Sequence, residues 1–215
     1  MNRQVDPGVG EPLLSVRRVV RCFGPSTRIG PIDLGVGAGE RVAFVGPNGS
    51  GKSTVLRCIA GTLSPTTGEV LVSGHRAGTL PARRLIGVSF SQERSFDLRL
   101  SGYDNLLFYA RVRFGRVRAA ERAVRELAEE LELGEIVAQR VASCSTGMTQ
   151  QLAFARALIG SPPLILLDEP TRSLDQEARE RLWAALSRRD RAAAIISSHR
   201  DDDVARCDRV FEFAV

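Results

Sequence analysis

Lysine is all but missing from this chain. Of 30 Lys and Arg residues, one is lysine, Lys52. Arg and Lys are not interchangeable where a compact ammonium must sit against phosphate oxygens, so a single Lys in so Arg-biased a sequence marks its position. Long hydrophobic runs are missing too. No stretch reaches the roughly 18 uninterrupted apolar residues that a spanning helix needs, so a membrane role is expected to come through a partner. The opening run MNRQVDPGVGEP has no apolar core, which predicts no secretion signal and a cytoplasmic chain. Cys22, Cys58, Cys144 and Cys207 are scattered without a CxxC spacing. They read as reduced thiols rather than bridges or zinc ligands. There is no internal repeat, no low-complexity linker and no sustained heptad pattern.

What is present is an ordinary globular composition. The 215 residues are 43% hydrophobic and 26% charged, enough for one domain with a full core or one domain carrying an inserted subdomain. The formal charge is +5 and the pI about 9.5. A basic balance suits nucleic acid or anionic lipid. Here Glu and Arg interleave through ERAVRELAEELELGE, which reads as a mixed-charge surface, and no nucleic-acid partner is expected.

Short β-rich runs alternate with helical ones. LLSVRRVV (13–20), RVAFVG (41–46), EVLVSG (69–74), LIGVSF (85–90), LILLDEP (164–170) and AAAIISS (192–198) read as strands, IDLGV (32–36) as a weak one and RVFEF as a last edge strand. VLRCIAGTL reads as a helix closing near Gly61, and QEARERLWAALSRR as another. From about Gly102 to Glu135 the pattern is helical, with Ala123, Leu127 and Leu131 at helical spacing. Strand–helix alternation around a helical middle predicts a doubly wound α/β core with a helical subdomain inserted into it.

Two motifs carry chemistry. GPNGSGKST, from Gly46 to Thr54, fits G-x-x-x-x-G-K-[ST] between an apolar strand and a helix. Its glycines let backbone N–H groups converge on phosphates, and the helix N-terminus behind them favours an anion. Lys52 is expected at the β- and γ-phosphates and Ser53 on Mg²⁺, with Thr54 and the amides of Asn48, Gly49 and Gly51 completing the cradle around Pro47 and Ser50. LILLDEP places Asp168 and Glu169 just past a buried strand. Adjacent carboxylates repel and are rarely left there without a cation. Asp168 suits Mg²⁺ and Glu169 suits the base that polarises an attacking water.

From about residue 13 to 213 the sequence resembles the ATP-binding cassette (ABC) family. GPNGSGKST matches its Walker A motif, and LILLDE its Walker B motif with Glu169 after it. STGMTQQLAFARAL (145–158) looks like the signature motif and its helix, SLD (173–175) like the D-loop, His199 like the switch histidine, Gln92 like the Q-loop glutamine, and Phe23 like the adenine-stacking aromatic. The resemblance implies a P-loop NTPase (RecA-like) α/β core with an antiparallel β edge subdomain and an inserted helical subdomain. The chain is then a single ABC ATPase domain, with its core at about 1–91 and 157–215 and the helical subdomain at about 92–156.

The resemblance also implies a mechanism. Two cassettes sandwich two ATPs head to tail, each between one P-loop and the other's signature motif, Ser145, Thr146, Gly147 and Met148. His199 holds the γ-phosphate and orients water with Glu169. Gln92 touches Mg²⁺ or water, and Asp175 reaches across the dimer. The partners implied are a second cassette, as a homo- or heterodimer, and a separate transmembrane subunit, which holds the chain at the cytoplasmic face of the membrane, with Tyr103–Phe114 the candidate docking region. The signature departs from the usual LSGGQ, since Thr146 replaces the first Gly and Met148 the Gln. Thr at a left-handed position is expected to strain that loop. STGM-type signatures, and the stretch SQERSFDLRLSGYDNLLFYARVRFG, are similar to those of ABC-2 exporter subunits, which favours export. The alternative is a soluble ABC ATPase acting on nucleic acid or ribosomes, but those use tandem cassettes or a long coiled coil.

Overall fold

The computed structural model describes residues 12–90 and 95–213. Nine strands fall into two sheets among the described residues. The first sheet is antiparallel, in the order β2-β1-β4-β5, from β1 (Leu14–Phe23), β2 (Thr27–Val36), β4 (Thr67–Val72) and β5 (His75–Arg76). The second is parallel, in the order β6-β7-β8-β3-β9, from β3 (Arg41–Val45), β6 (Ile86–Ser89), β7 (Leu164–Asp168), β8 (Ala193–Ser197) and β9 (Arg209–Glu212). RVFEF is an edge strand, as expected. β2 begins at Thr27, five residues before the weak strand expected from IDLGV, because the hairpin with β1 pairs Phe23 with Thr27 and Cys22 with Arg28. Propensity alone does not signal that tertiary pairing.

β7 and β8 are buried on both faces, and their side chains divide by parity. Leu164 and Leu166 of β7, with Ala193 and Ile195 of β8, join one core together with α1 (Lys52–Ile59) and the antiparallel sheet. Ile165, Leu167, Ala194 and Ile196 join a second core on the opposite face. The period of two in a strand produces this split. Between β6 and β7 the chain runs through α3 (Gly102–Phe114), α4 (Val117–Glu130), α5 (Gly134–Ala138) and α6 (Thr146–Leu158). Their apolar faces, with Leu106, Ala110, Val124, Leu127 and Leu152, build the second core with α7 (Gln176–Ser187). Ser101 caps α3 by accepting from Asp104 N, and Gly115 closes it in the left-handed conformation. Two short α-helices, α2 (Leu80–Arg84) and α8 (Asp201–Val204), and a 3-10 turn at Val141–Ser143 complete the described elements.

Charge ties the helical layer to the second face. Glu130, at the end of α4, accepts from Arg188 Nε at 3.0 Å and from Arg189 Nη1 and Nη2 at 2.7 and 2.8 Å. The Arg189 hydrogen bond, more than that of Arg188, holds the Glu130 carboxyl below its ordinary value.

Candidate nucleotide site

A parallel sheet delivers the C-terminal ends of all its strands to one edge, and ligands bind in the crevice there. In this sheet β8 lies between β7 and β3. The loop after β3 carries residues 46–51, the turn after β7 carries Glu169, and the end of β8 leads through Ser198 to His199. Topology therefore gathers three motifs that lie about 30 to 150 residues apart in sequence. One cleft is lined by Asn48, Glu169, Thr171, Arg172, Ser198, His199 and Arg200.

The loop from Gly46 to Gly51 turns into α1 through Gly51, whose φ of 104° suits glycine. A Cβ there would meet Ile29 Cγ2 of β2 at 2.6 Å, so the β-hairpin presses directly on the loop. Lys52 opens α1, is 6% exposed, and donates from Nζ to the carbonyls of Gly46 at 2.6 Å and Pro47 at 2.9 Å. Desolvation pushes its ammonium below the ordinary lysine value, while Glu169 and then Asp168 act in the opposite sense. The helix start has no side-chain cap and no acid in its first turn, which leaves the positive end of the dipole and the first amides for a ligand. Ser50 Oγ is buried with no hydrogen-bond partner among the described residues. A buried ammonium held by neutral carbonyls, an uncapped helix start and a spare hydroxyl fit a polyphosphate. Ser53, in the first turn of α1, and Asp168, buried at the end of β7, are the hard oxygen donors that Mg²⁺ prefers.

Glu169 takes φ of 49°, in the left-handed region, and its N–H donates to Ser197 O at 2.9 Å. A non-glycine residue held there costs of order 1–3 kcal/mol, a cost that recurs where a side chain must be aimed. Its carboxylate lies 3.5 Å from His199 Nε2 through Oε1 and 3.0 Å from Arg172 Nη1 through Oε2. Arg172 went unnoticed in the sequence, and its spacing of three residues from Glu169 is the signal that could have found it.

Thr146 corrects an expectation. It is the first helical residue of α6, not a left-handed one, and it is not among the positive-φ residues. Ser145 is the N-cap, with φ −65° and ψ 166°, and its Oγ accepts from Met148 N at 3.2 Å. Met148 Sδ in turn accepts from Ser145 N at 3.4 Å, so the thioether closes a capping box that Glu or Gln usually closes. Both departures from LSGGQ thus fit an unstrained helix start. Gly147 packs onto the loop after β7, where a Cβ would meet Ser173 O at 2.6 Å. The signature helix and residues 173–175 are therefore neighbours within one chain, and Asp175 caps α7 by accepting from Ala178 N at 2.8 Å. Phe23 ends β1, 43% exposed, with the Arg21 guanidinium 4.9 Å from its ring centre. Gln92 lies outside the described residues.

Known proteins resemble the chain along most of its length. The family described as ABC transporter matches residues 29–172. The aliphatic sulfonates import ATP-binding protein SsuB 2 of Burkholderia cenocepacia (strain HI2424) is 39% identical over 199 residues, 91% of this chain and 71% of that protein. The Nod factor export ATP-binding protein I of Neorhizobium galegae is 35% identical over 207 residues, covering 92% of this chain and 58% of that protein. Two solved structures of the cassette MJ0796 have the same fold. One is a dimeric post-hydrolysis state bound to ADP and Pi, with TM-score 0.83 and 24% identity over 93% of this chain and 94% of that one. The other, a dimeric bacterial ABC transporter cassette, has TM-score 0.82 and 26% identity over the same shares. With its P-loop, carboxylate pair and histidine at one sheet edge, the chain belongs to the ABC transporter family, as an ATP-binding and ATP-hydrolysing cassette.

Proposed function

We propose that the chain hydrolyses Mg·ATP in a site completed by a second cassette, and that closure of this pair drives transport, in the direction of export, through a separate membrane subunit. The observation that carries the reading is the convergence of Lys52, Glu169 and His199 on one sheet edge, with Glu169 and His199 3.5 Å apart. Lys52 and the amides of Asn48, Gly49 and Gly51 hold the β- and γ-phosphates. Phe23 stacks on the adenine, with one face already covered by Arg21. Ser53, Asp168 and Gln92 would hold Mg²⁺, which when bound would supply positive charge against the phosphates. Glu169 accepts a proton from the attacking water, and His199 positions the γ-phosphate.

Ser145, Thr146, Gly147 and Met148 open a 13-residue helix, a second anion site that serves the nucleotide of the partner cassette. Asp175, two residues past the Ser173 carbonyl on which Gly147 packs, reaches across to the partner cassette in this reading. In this reading the chain is a single ABC ATPase domain, and residues from about 92 to 156 are the helical subdomain that couples to the membrane subunit. Phe108 and Val112 support this, as they stand one turn apart on α3, 61% and 75% exposed. No described helix is long and apolar enough to cross a membrane, and in this reading attachment to the cytoplasmic face comes through that subunit. Relatives named for import and for export both match; the STGM signature favours export.

The test is steady-state turnover of the purified chain with Mg·ATP. A shared site predicts a rate per chain that rises with chain concentration until pairing saturates. Turnover independent of concentration would contradict the shared site, and no turnover with or without the membrane subunit would contradict the reading as a whole.

A further inference from the structure

Asp203 is a buried carboxylate to which the mechanism above gives no role. It follows two exposed aspartates in α8 and is itself 2% exposed. Its Oδ2 accepts from Thr171 Oγ1 at 2.5 Å and from Ser198 Oγ at 2.6 Å, and its Oδ1 accepts from Trp183 Nε1 at 3.0 Å. These donors come from the turn after β7, the end of β8, and α7. Thr171 stands two residues past Glu169. Ser198 stands directly before His199, and its Oγ also accepts from Arg200 N at 3.1 Å, so it braces the chain on both sides of the histidine. One carboxylate oxygen thereby ties the segment carrying Glu169 to the segment carrying His199.

Stability alone is a poor reason for such a group. Burying a carboxylate is costly, and an apolar side chain of similar volume often serves a core as well or better. What a shared acceptor adds is a fixed distance between the two hydroxyls and the turns that carry them. Misplacing a reacting group by about 1 Å can cost 10²-fold in rate.

We infer that Asp203 is a positioning residue for hydrolysis, setting the spacing of Glu169 and His199 through Thr171 and Ser198; this rests on the functional reading above. It touches neither nucleotide nor water in that reading. Its loss therefore acts on kcat and leaves nucleotide affinity, set by the loop at 46–54, in place.

The experiment compares wild type with Asp203→Asn, which is nearly isosteric. The amide replaces one acceptor with a donor, so its oxygen can serve Trp183 or the two hydroxyls but not both. We expect kcat to fall about tenfold or more, with KM for Mg·ATP within about threefold. Thr171→Val removes one hydroxyl at constant volume and is expected to lower kcat in the same sense, whereas Thr171→Ser restores it. Leu186→Ala, a cavity in the same helical layer, controls for lost stability and should leave kcat near wild type below its melting temperature. If Asp203→Asn does not fold, the Thr171 pair carries the test. Asp203→Asn at wild-type kcat, Thr171→Val equal to Thr171→Ser, or a fall in kcat matched by Leu186→Ala would overturn the inference. A wild-type chain without turnover would instead sink the functional reading beneath it.

Discussion

Lys52→Arg keeps the charge and changes only its shape, in a chain whose other basic residues, two histidines aside, are already Arg. Lys52 is 6% exposed, and its ammonium lies 2.6 and 2.9 Å from the carbonyls of Gly46 and Pro47. A planar guanidinium does not fit that space without moving the loop, and it cannot present a compact ammonium to two phosphates. Hydrogen bonds to charged groups contribute about 1.5–3 kcal/mol each, so misplacing two of them costs at least about 3 kcal/mol. That corresponds to about 10²-fold weaker binding of Mg·ATP. Titration with a fluorescent ATP analogue reads the dissociation constant directly, and a thermal melt without nucleotide checks that the variant folds. Binding within about threefold of wild type by a folded Lys52→Arg would refute the reasoning, because the loop would then grip phosphate through its amides alone.

Further predictions follow from the same geometry. Gly147→Ala places a Cβ 2.6 Å from Ser173 O, so the variant should bind ATP normally yet lose ATP-dependent pairing, as sedimentation would show. Glu130→Gln should destabilise the chain by about 1 kcal/mol at neutral pH, since the carboxylate is partly screened by solvent. The folded Glu130 carboxyl lies below its ordinary value of 4.5, so its contribution is fully present above that value and is lost as pH falls through the lower folded one. Denaturant midpoints of the two proteins should therefore converge in acid, and a gap that persists there would contradict the account. Burial pushes the Cys207 thiol up to about 11, with Asp203 and Asp208 adding to the shift. The thiolate is the reactive form, so alkylation near pH 8 should spare Cys207 in the folded protein and reach it after unfolding, as mass spectrometry of the peptides would reveal.

Much of the core was legible in the sequence because strands buried on both faces read as apolar runs. LILLD and AAIIS each send alternate side chains to opposite cores. The phosphate loop was legible because glycine spacing and a lone lysine have few other uses. The full length of β2 was not, since Thr27–Pro31 is strand only through its pairing with β1. The helix start at Thr146 was misjudged for a local reason: the Ser145 cap and the Met148 thioether set the backbone, and a thioether is not a usual capping group. Asp203 was invisible beside Asp201 and Asp202. Three aspartates in a row read as solvated charge, and only the fold shows which of them turns inward.

The central claim is that two chains complete one site, and Glu169→Gln tests it most directly. In that variant the amide cannot accept the water's proton, so ATP should remain intact and hold the pair closed. Light scattering with Mg·ATP should then report twice the 23.4 kDa chain mass, reverting on removal of nucleotide and absent when Ser145→Arg is added. A Glu169→Gln chain that stays single with ATP bound, or that turns over as fast as wild type, would contradict the account.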